Sequence, residues 1–141
     1  MLPLLLASGL PARTVTDTRF DEVTVDKVKT SIYVGSVTLR TPPMKRENGS
    51  YHTTYHATVF PYFFHNEDGT LTIHLSDADL ERLVAGQTVE FTGEAHNTKG
   101  ERREVTGRAQ PANARSGKLK VRVRVTPKIE LIFNTTYRFT G

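Results

Sequence analysis

The side chains of this 141-residue chain that could carry out chemistry are scattered along it. Its five histidines are His52, His56, His65, His74 and His96, and it has no cysteine. His52 and His56 share one strand face, but two pleat repeats hold them roughly 13 Å apart, too far to bind one metal ion. A three-ligand site would need His56, His74 and a carboxylate to converge. Neither His-x-His nor His-Glu-x-x-His occurs to force that. The serines Ser8, Ser31, Ser36, Ser50, Ser76 and Ser116 lie outside any Gly-x-Ser-x-Gly, and Ser76 is suited to capping a helix. Glu90, Glu94 and Glu104, set among Arg102 and Arg108, have the pattern of a surface ion-pair lattice rather than an acid/base pair in a cleft. There is no glycine-rich phosphate loop. These residues predict a non-enzyme with no metal site and no cofactor.

Two other groupings are better candidates. Lys118, Lys120, Arg122 and Arg124 form a row on one strand face, roughly 7 Å apart, which suits a polyanion or anionic lipid head groups. The row has no stacking rings beside it, which argues against nucleic acid, and a turn at Thr126 to Lys128 would put Arg124 opposite Glu130. Peripheral contact with a membrane surface stays compatible with it. The second grouping is the aromatic cluster Tyr51, Tyr55, Phe60, Tyr62, Phe63 and Phe64. Packing alone explains such rings, but Tyr51, Tyr55, Tyr62 and Phe64, with Phe133, could instead line an interior that takes a small apolar ligand.

The elements that must position these residues are almost all strands. In the closing hairpin, Leu119, Val121, Val123 and Val125 alternate with the basic row, and Ile129, Leu131, Phe133, Tyr137 and Phe139 answer them on the return arm. A short strand is expected from Glu22 to Val28. Another is expected from Ser31 to Arg40, where the apolar face changes at Gly35, suggesting a bulge. Thr41 to Gly49 reads as loop, and no central strand can run through Pro42-Pro43. From Ser50 a long strand runs into the aromatic run at Pro61. The parity change there puts Phe60, Tyr62 and Phe64 inside, and Asn66 to Gly69 is expected to turn into a strand from Thr70 to Leu75. One helix is signed at residues 77–85, by Ser76 with Asp79 in a capping box and by Gly86 as the stop. It should lid an open end of the sheet. Strands over Thr88 to His96 and Arg102 to Gln110, joined through a left-handed Gly100, would pair Phe91 with Gly107, Gly93 with Val105 and Glu90 with Arg108. The expected fold is an all-β antiparallel barrel of about eight strands, with a β-sandwich as the alternative.

The chain is sized for one domain, residues 13–141, after an apolar segment at residues 1–12. That segment has the h-region and small residues of a secretory signal but no basic start, so it is either a remnant signal or a packed tail. The expectation is a secreted or periplasmic protein, with a cytoplasmic address left open. A net charge of +4 and a pI near 9.5 permit polyanion binding without requiring it. Val89 to Ala109 with the closing hairpin resembles lipocalin-like periplasmic proteins that bind isoprenoid lipids. The resemblance covers a minor part of the chain and carries over no site residue. The function expected is non-catalytic binding of a small apolar or amphipathic ligand inside the barrel. The alternative is a surface or polyanion module built on the basic row.

Overall fold

Period-2 patterning this regular commits the chain to strands, and the structure, a computed structural model describing residues 18–140, is nearly all strand. The strands are β1 (Glu22–Val25), β2 (Val28–Ile32), β3 (Gly35–Arg40), β4 (Met44–Glu47), β5 (Ser50–Phe60), β6 (Glu67–His74), β7 (Val89–Asn97), β8 (Arg102–Pro111), β9 (Ser116–Thr126) and β10 (Ile129–Thr140). Eight of them close into an antiparallel barrel, in which β5 through β10 follow in chain order and β1 and β4 complete the ring. The β2–β3 hairpin stands outside the ring, with β3 paired to the far half of β5 from Ser36 opposite Phe60 to Arg40 opposite His56. The apolar segment at residues 1–12 lies outside the described residues.

Register follows the alternation closely. Phe91 pairs with Gly107, Gly93 with Val105 and Glu90 with Arg108. Arg124 sits opposite Glu130, but through a two-residue turn at Pro127-Lys128 followed by a register shift between Ile129 and Glu130, not through the three-residue turn expected. Small residues meet large ones for a steric reason: a methyl group on Gly107 would lie 2.3 Å from the Phe91 ring. At Asn48-Gly49 both residues take positive φ, 53° and 77°, and close the two-residue β4–β5 hairpin.

Several local expectations are corrected. The face change at Gly35 is not a bulge in one strand but the end of a tight turn at Tyr33-Val34 between β2 and β3. Gly35 takes φ +123°, and a Cβ there would fall 1.9 Å from the Phe60 carbonyl oxygen. The loop expected over Thr41 to Gly49 contains β4; only residues 41–43, around the two prolines, and the Asn48-Gly49 turn stay out of the strands. Strand β6 begins at Glu67, so Gly69 is a strand residue opposite Tyr55 and Asn97, where a Cβ would meet the His96 carbonyl oxygen at 2.0 Å. The turn therefore occupies residues 61–66.

Helix α1 (Asp77–Val84) is built as its capping signals require: Ser76 Oγ accepts from the Asp79 amide, and the Asp79 carboxylate accepts from the Ser76 amide. Leu80 and Leu83 are buried against β7 and β8, so the helix plugs one end of the barrel. Around the plug, Tyr51 is 1% exposed and donates to the Phe20 carbonyl at 2.8 Å, and Phe20 meets Phe139 edge-on. Arg46 covers the Tyr51 ring at 5.0 Å and reaches Asp77 at 2.7 Å, tying β4 to the start of the helix.

Candidate functional site

The inward faces of these strands do not meet. They enclose a cavity of about 550 Å³ running from the plugged end to the opposite mouth. Val105, Val121, Val123, Leu119, Leu71 and Ile73 form its middle, and Tyr51, Tyr137 and Phe139 its floor. The mouth is framed by four connections: the Tyr33-Val34 turn, residues 61–66, residues 98–101 and the Pro127-Lys128 turn. An alternating strand gives one side chain in two to the interior. Here those positions are Val, Leu, Ile and aromatic for most of the depth.

Near the mouth the inward positions become polar. Glu67 on β6, Asn97 on β7 and Arg103 on β8 all line the cavity, and the other two bond to Glu67. Arg103 donates to Glu67 at 2.8 Å, Asn97 donates to Glu67 at 3.3 Å, and the Tyr55 hydroxyl donates to Glu67 at 2.5 Å. Arg103 also donates to the Val125 carbonyl at 3.1 Å. Burial works to raise the Glu67 carboxyl, but the hydrogen bonds from Arg103, Tyr55 and Asn97 outweigh it and hold it below the ordinary carboxylate value. The same environment, burial first and the Glu67 hydrogen bond second, pushes the Tyr55 phenol well above its usual range. Sequence reasoning missed this cluster, though it left a signal: Glu67, Asn97 and Arg103 each sit on the inward parity of a strand whose other inward residues are apolar. Deeper in, Thr41 and Tyr137 line the cavity, but their hydroxyl oxygens are buried in the wall with no hydrogen-bond partner among the described residues. Burial raises the Tyr137 phenol too.

All five residues expected to contact a ligand, Tyr51, Tyr55, Tyr62, Phe64 and Phe133, line this cavity, in three different settings. Tyr51 and Phe133 are among the most buried side chains, and Tyr55 belongs to the polar cluster. Tyr62 and Phe64 stand at the mouth and are exposed, 40% and 78%, as are Phe60 and Phe63. The aromatic run is thus not the inward set expected from its parity. Strand β5 ends at Phe60, and beyond it a 3-10 turn over Phe63–His65 carries the rings outward.

On the outside, Arg122 and Arg124 both reach Glu130, at 3.3 and 3.5 Å. Lys120 lies between Arg108 on β8 and Asn134 on β10, and Lys118 between Gln110 and Thr136. Three histidines are also external: His56 bonds Asp68, His52 bonds Thr72, and His74 lies between the Ser50 hydroxyl at 2.9 Å and Glu94 at 3.0 Å, whereas His65 lines the cavity at the mouth. His56 and His74 do not converge, because Ser50, not His56, is the cross-strand partner of His74. Among the described residues no group of three or more His, Asp or Glu side chains could hold a metal ion.

Fold and site together define a closed eight-stranded antiparallel barrel with a largely apolar interior, a helical plug at one end and an inward-facing polar cluster near the other. Comparison with protein families, curated proteins and solved structures gives no match.

Proposed function

We propose that the protein is a non-catalytic carrier or receptor for a small amphipathic ligand, held with its apolar part in the barrel and its polar group at the Glu67–Arg103–Asn97 cluster. The observation that carries this reading is the cavity of about 550 Å³, within the size range of small-molecule sites, apolar in depth with a few convergent polar groups at one end. N-phenyl-1-naphthylamine, an apolar fluorophore, tests it. Saturable one-to-one binding, displaced by long-chain amphiphiles and lost in Val123→Trp, is expected. Absence of saturable binding to the folded protein would sink it. Export belongs to the same proposal and is supported by the apolar segment at residues 1–12. A first residue near Arg13 in natively produced protein would bear it out, and Met1 would count against it.

A second reading, polyanion contact through Lys118, Lys120, Arg122 and Arg124, is favoured by one observation: Arg108 and Arg122 flank Lys120 beside a surface concavity. The shared Glu130 weakens it. Retention on heparin that falls steeply with salt would support it, and elution at low salt would remove it.

A further inference from the structure

Large apolar side chains left in water are unevenly placed on this molecule. Among the described residues every one that is exposed, except Val84 on the helix, stands at the mouth. Tyr33 and Val34 form one turn, Phe60 to Phe64 another, and Ile129 begins the strand after a third. Tyr33 is fully exposed, and Phe63 and Ile129 are each more than half exposed. Four separate pieces of chain thus bring their apolar tips, or their turns, to one rim around one opening. Scattered exposed hydrophobics need no explanation, but their gathering at one end of the barrel does.

Charge at this rim has one sign to spare. Glu67 and Glu101 are held by Arg103, Glu130 is held by Arg122 and Arg124, and Asp68 is bonded to His56. Lys99 and Lys128, at the tips of the β7–β8 and β9–β10 turns, have no carboxylate partner among the described residues. Rings and aliphatic tips beside unpaired lysines match the interface of an anionic bilayer, where aromatic side chains settle at head-group depth and cations meet lipid phosphates.

We infer that the mouth docks on an anionic lipid surface, with the aromatic turn and the Tyr33-Val34 turn inserted at head-group depth and Lys99 and Lys128 against the phosphates. The cavity opens into the same rim, so a docked barrel lets an apolar molecule pass between bilayer and interior without crossing water. That route rests on the proposed ligand binding; the docking does not. The surface is distinct from the basic row of β9, which lies on the barrel wall.

Co-sedimentation of the full chain with sucrose-loaded vesicles tests it, using phosphatidylcholine alone and phosphatidylcholine with 30% phosphatidylglycerol. Partitioning should rise with the anionic lipid and weaken with salt. Phe63→Asp with Phe64→Asp should lower it at least tenfold, and Lys99→Gln and Lys128→Gln about fivefold each at low salt. These side chains are exposed, and unchanged thermal melts confirm that the variants fold. Failure of the full chain to partition overturns the inference. So does partitioning that survives the phenylalanine changes, which would assign it to residues 1–12 or to the basic row. A dimer dissolved by the same substitutions, with no vesicle binding, would make the rim a contact between copies. Fluorophore binding without vesicles reads the cavity alone: a protein that binds the probe and ignores vesicles loses only the docking, and one that docks without binding the probe loses only the proposed ligand function.

Discussion

Arg103 on β8 reaches past the intervening β7 and places its guanidinium 2.8 Å from the Glu67 carboxylate on β6. Both side chains are about four-fifths buried, at 18% and 21% exposure, so each charge depends on the other. Glu67→Gln should lower stability at pH 7 by about 1–3 kcal/mol, the range for a lost charge-assisted hydrogen bond in a partly buried setting. The Glu67 carboxyl is held below its ordinary value of 4.5, so its contribution is present above that pH and fades as pH falls through the depressed folded value. Urea unfolding of both proteins at pH 7 and at pH 3 measures this. The gap between them should narrow at the lower pH; a gap that stays constant would mean the ion pair is not its source.

The three partly or fully buried phenols make the opposite prediction on the alkaline side. Tyr51, Tyr55 and Tyr137 are all raised above the ordinary value of 10, in each case chiefly by burial. Stability that depends on their protonated forms is complete below pH 10 and lost as pH rises through the higher folded values. Ultraviolet titration at 295 nm should show three tyrosines ionising late, together with unfolding. Replacing Tyr137 by Phe should remove one of them.

Val123 lines the interior, between Val105 and Leu131 on the neighbouring strands. Enlarging it fills space that holds no side chain, so Val123→Trp should change the melting temperature little while reducing fluorophore binding by at least tenfold. If the melting temperature instead falls by more than 10 °C, the interior is tighter there than the cavity implies.

Gly107 and Phe91 are matched across β7 and β8 at contact distance. Gly107→Ala should destabilise by about 1–3 kcal/mol, the range for overpacking. Phe91→Leu in the same chain should recover part of that loss, since the nearest clash is with the far edge of the ring. The Lys120 carbonyl at 2.7 Å is backbone and prevents full recovery. A double-mutant cycle gives the coupling directly, and a coupling of zero would show that the ring is not the obstacle.

Legibility varied with the kind of signal. Cross-strand partners such as Glu90 with Arg108 and Phe91 with Gly107 were readable, because side-chain parity and turn length together fix register. The helix was readable from Ser76 and Asp79 for a similarly local reason. The Tyr33-Val34 turn was not: neither residue favours turns, and the structure puts the unusual backbone one residue later, on Gly35. The aromatic run was misassigned because apolarity carries no direction once a strand has ended, and Phe60 is the last residue of β5. The mouth cluster depends on three polar residues far apart in sequence, and becomes visible only when each is seen to share a face with apolar neighbours.

The double proline at residues 42 and 43 divides the edge beside β5 between two short strands, β4 within the ring and β3 outside it, where one long strand would otherwise run. As a result β2, at the end of the hairpin, lies next to β10 without a ladder between them. This is a lateral seam reaching toward the mouth, with no backbone ladder across it. Amides along the outer edge of β2 should therefore exchange with deuterium far faster than those shared by β9 and β10, and the hairpin should breathe as a unit while the rest of the wall stays shut.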